Sequence, residues 1–115
     1  MLIGMCTDRG SRSSISGGSS NEVESEVIVP SDPKAKYYVL DINGTKENPI
    51  LTTKRVGPSG TSYSKRLFDC RTRAMKYLGD GDTLEEMNRS KPDPNMAPII
   101  EGSIAWHLWL HVCGR

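Results

Sequence analysis

Two cysteines stand in matched settings. Cys70 closes the run Arg66-Leu-Phe-Asp-Cys70, which reads as a strand, and Cys113 closes Ser103-Ile-Ala-Trp-His-Leu-Trp-Leu-His-Val-Cys113, which reads as a helix. A disulfide between them would close a loop of about 44 residues, and chain entropy makes such a bond worth roughly 4 kcal/mol, a large part of a small domain's stability. Bonds of this kind belong to oxidising compartments. A third cysteine, Cys6, is left without an assigned partner.

The other residues that could do chemistry are cationic. Lys54, Arg55, Lys65 and Arg66 fall close together if the two segments that carry them pair as a hairpin, and Tyr63 lies among them. Such a patch can grip phosphate, sulfate or an acidic protein surface, and long cations near a sheet edge also serve to prevent aggregation. His107 and His111 stand at i and i+4, a spacing at which two imidazoles can share zinc. No Glu occupies the His-Glu-x-x-His position and no third ligand is evident, so the pair reads as a polar stripe on an apolar helix and no cofactor is expected. Ser59, in Gly57-Pro-Ser-Gly60, lacks the Gly-x-Ser-x-Gly elbow and a placed base. Binding, not catalysis, is the expected activity.

These residues need elements to hold them. Residues 1–32, Ser- and Gly-rich over most of their length, read as a flexible leader, which leaves 33–115 as the domain. Val27-Ile-Val29, followed by Pro30 and Pro33, suits a short edge strand. Tyr37 to Ile42 is β-branched and aromatic and is expected to end in a turn at Asn43-Gly44. Ile50 to Val56 and Thr61 to Cys70 flank Gly57-Pro-Ser-Gly60 as a hairpin. Pairing Val56 with Thr61 puts Lys54, Tyr63 and Lys65 on one face and Arg55, Arg66 and Phe68 on the other, with the basic end directed to solvent. Ala74 to Leu78 reads as a further strand before a turn at Gly79-Asp-Gly-Asp82, and Thr83 with Glu86 has capping-box spacing for a short helix. Lys91 to Pro98 is expected to be irregular.

In the last helix, capped by Ser103 and ended by Gly114, an apolar arc of about 240° leaves only His107 and His111 as a polar stripe. Leu108, Trp109 and Val112 are expected in the core, and Trp106 or Trp109 could serve as a binding anchor. The fold expected is α+β: an antiparallel sheet of about four to six strands with the C-terminal helix packed on it.

Fifteen basic against fourteen acidic side chains give a net charge of +1, so any electrostatic binding must be local. No apolar run approaches a membrane span, and Met1 to Cys6 is too short for a signal peptide.

Leu67-Phe-Asp-Cys-Arg-Thr-Arg73, Lys76-Tyr-Leu78 and Ile100-Glu-Gly-Ser-Ile-Ala105 ending in Val112-Cys113 resemble the small domain typified by bacterial surface-adhesin protein E. The resemblance covers roughly Tyr37 to Cys113, and its specific part is a strand ending in Asp-Cys and a Gly-Ser-Ile helix ending in Cys. It implies an antiparallel sheet against a C-terminal helix, the two cysteines bonded, and export to the bacterial periplasm or cell surface, where typified members bind host matrix or serum proteins; with the cationic hairpin, the partner expected is another protein or acidic macromolecule. The rival reading is a cytoplasmic inhibitor or accessory protein of a mobile element, with both cysteines reduced. Neither reading calls for specific nucleic-acid binding.

Overall fold

The computed structural model describes residues 25–114. Six strands form one sheet whose spatial order follows the chain: β1 (Ser25–Val27), β2 (Lys36–Gly44), β3 (Pro49–Gly57), β4 (Gly60–Asp69), β5 (Ala74–Gly81) and β6 (Ala97–Pro98). Every neighbour pairs antiparallel. A short helix, α1 (Leu84–Arg89), lies between β5 and β6 in sequence, and α2 (Ile104–Cys113) ends the fold. This is the expected α+β architecture.

The domain begins earlier than expected. Val27 and Val29 are core residues and Asp32 bonds to Tyr37 and Arg55, so the folded unit takes in residues 25–32, assigned from the sequence to the leader. The rest of that leader, with Cys6, lies outside the described residues.

Two expected turns are strand instead. Asn43 and Gly44 continue β2 and pair with Ile50 and Pro49. The reversal is made after them, where Thr45 N–H donates to the Asn48 carbonyl (3.2 Å) and Asn48 N–H to Thr45 Oγ1 (3.0 Å). Gly44 has φ +77°, and a Cβ there would strike the Asn48 carbonyl oxygen. Likewise β5 runs through Gly79-Asp-Gly81. The glycines are needed for close approach, not for turning: a Cβ on Gly81 would lie 2.6 Å from Glu86 Cβ and 2.8 Å from Met87 N, and one on Gly79 would meet the Met87 carbonyl. Helix α1 can therefore lie directly on β5. Its N-terminus is capped as expected, Thr83 Oγ1 accepting from Glu86 N–H at 3.0 Å, while Glu86 Oε1 accepts from Asp82 N–H at 2.9 Å.

The pleat separates two unlike faces. One carries Tyr37, Val39, Leu51, Phe68 and Met75, all buried, and α2 inserts Leu108 and Val112 against it, with Val27, Val29 and Ile99 completing the core. Full burial of a side chain of this size is worth about 1.5–3 kcal/mol, so Leu51, Phe68 and Leu108, each at 0% exposure, anchor the domain. Ser103 Oγ caps α2 by accepting from Trp106 N–H (3.1 Å), and Gly114 N–H donates to the Leu110 carbonyl at its end (2.9 Å). Trp106, Trp109 and Ile104 pack against the core half-buried. Leu110, part of the expected apolar arc, faces solvent, because helix contact with a single sheet face cannot cover so wide an arc. Among the described residues, the opposite sheet face is met by α1, at Gly79 and Gly81 where these pair with Lys65 and Tyr63.

Candidate functional site

The hairpin of β3 and β4 has the expected register, Val56 opposite Thr61, and Gly57 pairs with Gly60 so that Pro58 and Ser59 alone make the loop. Alternation then divides the four cations two and two. Arg55 and Arg66 lie on the face that α2 covers in part, and Lys54 and Lys65 on the other.

Both arginines are engaged inside the fold. Arg55 Nε donates to Asp32 Oδ2 at 2.8 Å, and Tyr37 Oη donates to the same oxygen at 2.7 Å. The Arg55 hydrogen bond, then that from Tyr37, holds the Asp32 carboxyl below its ordinary value. Burial, with the bond to Asp32 second, pushes the Tyr37 phenol up to about 12. Arg66 is only 5% exposed. Its Nη1 donates to Thr53 Oγ1 (3.2 Å) and its Nη2 to Tyr77 Oη (3.1 Å), while the guanidinium sits 4.8 Å from the Tyr77 ring centroid. The expectation that Arg66 projects into solvent is therefore corrected. It shares a face and a row with Leu51 and Tyr77, and the Tyr77 ring closes over a cation whose stem is already packed among apolar neighbours.

Lys54, Tyr63 and Lys65 remain half-exposed on the second face. Lys54 pairs across the strands with Tyr63 on one side and Tyr38 on the other, and its Nζ lies 5.8 Å from the Tyr38 ring centroid. Tyr38 was missed by sequence reasoning. The signal available was the Tyr37-Tyr38 pair itself, since on a strand with one face buried the second ring must point the other way. Its partners were hidden by the bulge between Val39 and Asp41, which breaks the β2–β3 register.

Cys70 and Cys113 are joined by a disulfide, with α-carbons 5.5 Å apart. The turn after β4 sets the first of them in place. Asp69 Oδ1 accepts from Arg71 N–H (3.0 Å) and Thr72 N–H (3.3 Å), the Arg71 bond being the main reason its carboxyl is held low. Arg73, at φ +56°, closes that turn with its N–H on the Asp69 carbonyl (3.0 Å), and Cys70 N–H is fixed to the Glu47 carbonyl (2.9 Å).

The remaining candidates are scattered. His107 and His111 are half-buried on α2, His107 edge-on to Trp106 at 5.1 Å, and among the described residues no three His, Cys, Asp or Glu side chains are grouped to hold a metal ion. Ser59 is exposed at the hairpin tip. No helix among the described residues is long and apolar enough to cross a membrane. No family model, curated protein or solved structure matches the chain.

Proposed function

We propose that this protein is an exported envelope or surface module of the adhesin-E-like type, which acts by binding another protein or acidic macromolecule and not by catalysis. The observation that carries this reading is the Cys70–Cys113 bond. It joins the two specific segments of the resemblance, the strand ending in Asp-Cys and the Gly-Ser-Ile helix ending in Cys, and such a bond persists where the surroundings are oxidising. The same bond weighs against the cytoplasmic rival.

The binding surface is the second face of the sheet, where Lys54, Tyr63 and Lys65 stand beside Tyr38. Arg55 and Arg66 contribute to this surface only by fixing the strands that bear it. Among the hairpin cations, Lys54 and Lys65 are thus the pair to reverse without removing an internal bond of the two arginines. Lys54→Glu together with Lys65→Glu should weaken binding to an immobilised acidic protein and flatten its dependence on salt, because exposed charges attract over a Debye length of about 8–10 Å at moderate ionic strength. Unchanged affinity at both low and high salt would assign these lysines to protection of the sheet against aggregation.

A further inference from the structure

The register places four lysines in one line. Lys36 on β2 is opposite Val56; Lys54, two residues before Val56 on β3, is opposite Tyr63; Lys65, two residues after Tyr63 on β4, is two before Leu67; and Leu67 is opposite Lys76 on β5. Each lysine is therefore one strand over and one side-chain row along from the last, all on the face away from α2. Diagonal neighbours are separated by about 7–8 Å, which applies to the first two steps, whereas the third crosses the register shift between Lys65, opposite Gly79, and Arg66, opposite Tyr77. Among the described residues no carboxylate pairs with Lys36, Lys65 or Lys76.

Among the described residues, acidic groups stand beside this line, and Asp93 lies at its far end, its Oδ2 accepting from the N–H of Tyr77 next to Lys76 (3.3 Å). Glu26 lies opposite Tyr38 and Asp41 opposite Thr52, both towards the β1 side. On the other side Glu85 is paired with Arg89 (3.2 Å) and Glu86 is bonded to Asp82 N–H. Tyr38 and Tyr63 stand to either side of Lys54 in its row.

We infer that this diagonal binds a linear sulfated polysaccharide lying obliquely across the sheet, a proposal that rests on the binding reading above and names its partner. A line of point charges matches a chain whose sulfates recur along its length, and the two phenol rings offer flat apolar surface to sugar faces beside the line. Lysine supplies compact point charge in place of a bidentate fork, which suits a polymer read by the spacing of its anionic groups.

The test uses the full chain and heparin fragments of graded length, with desulfated heparin, an oligo-dT strand and an acidic protein as comparison ligands. Affinity should rise with fragment length until the chain spans all four lysines and should vanish on desulfation. Lys36→Gln with Lys76→Gln should weaken binding at low salt by roughly fivefold per lysine, while the exposed lysines Lys46 and Lys91, changed to Gln as a control, should have no effect. If Lys36 and Lys76 behave like the control while Lys54→Gln with Lys65→Gln abolishes binding, the diagonal is wrong and the hairpin reading stands. Tighter binding to oligo-dT than to heparin overturns the polysaccharide. Binding of the acidic protein without heparin overturns this inference alone, and failure of every polyanion overturns the proposed function with it. Unchanged thermal melts of all variants keep each outcome interpretable.

Discussion

Among the residues, Arg66 and Lys65 are neighbours in the chain with opposite fates. Arg66 is 5% exposed with Thr53 and Tyr77 as partners of its two Nη groups, whereas Lys65 is half-exposed on the other face. Arg66→Ala should cost about 2–4 kcal/mol in chemical denaturation, since it removes packing along the stem and leaves polar groups short of partners, while Lys65→Ala should stay within about 0.5 kcal/mol. Asp32, Tyr37 and Arg55 make a pH-dependent contribution with a definite sign. The Asp32 carboxyl is held below its ordinary value of 3.8, so its stabilisation is complete above that pH and is lost as the pH falls through and below it. The phenol of Tyr37 is raised, so its share is complete below pH 10 and lost as the pH climbs from there towards about 12. Asp32→Asn should accordingly lose less stability than the wild type between neutral and acid pH, as read by urea titration. At this scale the sequence made alternation legible, placing Arg66 with Phe68 and Lys65 with Tyr63. Which end of that face was covered was not legible, because the cover is Tyr77, reached across a register shift between Lys65 and Arg66.

Among the elements, the β3–β4 hairpin and α2 were readable in register and in caps. Gly57-Pro-Ser-Gly60, Ser103 and Gly114 are local signals whose geometry depends on few distant contacts. The glycines of β5 misled because the same residue type serves a turn and a close contact, and only the arrival of α1 over Gly79 and Gly81 distinguishes the two uses. In α2 the side chains nearest the sheet carry the packing. Trp109, half-buried against the core with its indole Nε1 enclosed and unbonded, should cost on the order of 3–5 kcal/mol when truncated to Ala, whereas His107→Ala should be nearly neutral in a thermal melt. Trp109→Phe should recover much of the loss, since it keeps an aromatic ring, though a smaller one, and removes a buried donor that has no acceptor. The reverse ranking of Trp109 and His107 would mean that α2 presents its other side to the sheet.

For the whole molecule, the described residues form a meandering sheet with one face partly covered by a covalently tied helix and the other met by α1. Its strand order follows the chain, with short connections from β2 to β5 favouring neighbours in sequence as neighbours in space, while β5 and β6 are joined through α1. The four-lysine line was not foreseen, because it draws on four strands and exists only once three registers are known. The tie between α2 and the sheet closes a span of 43 residues, and its removal should cost on the order of 4 kcal/mol, enough to threaten a domain with so small a core. That tie also underlies the proposed compartment, so the state of these two sulfurs in the cell bears on both fold and function. The most direct test is differential alkylation of Cys70 and Cys113 in protein recovered from its native host under acid quench, read peptide by peptide in a mass spectrometer so that Cys6 is scored separately. Both sulfurs should resist the first alkylating reagent and react only after reduction; ready labelling of both before reduction would contradict the exported, disulfide-tied module and favour the cytoplasmic alternative.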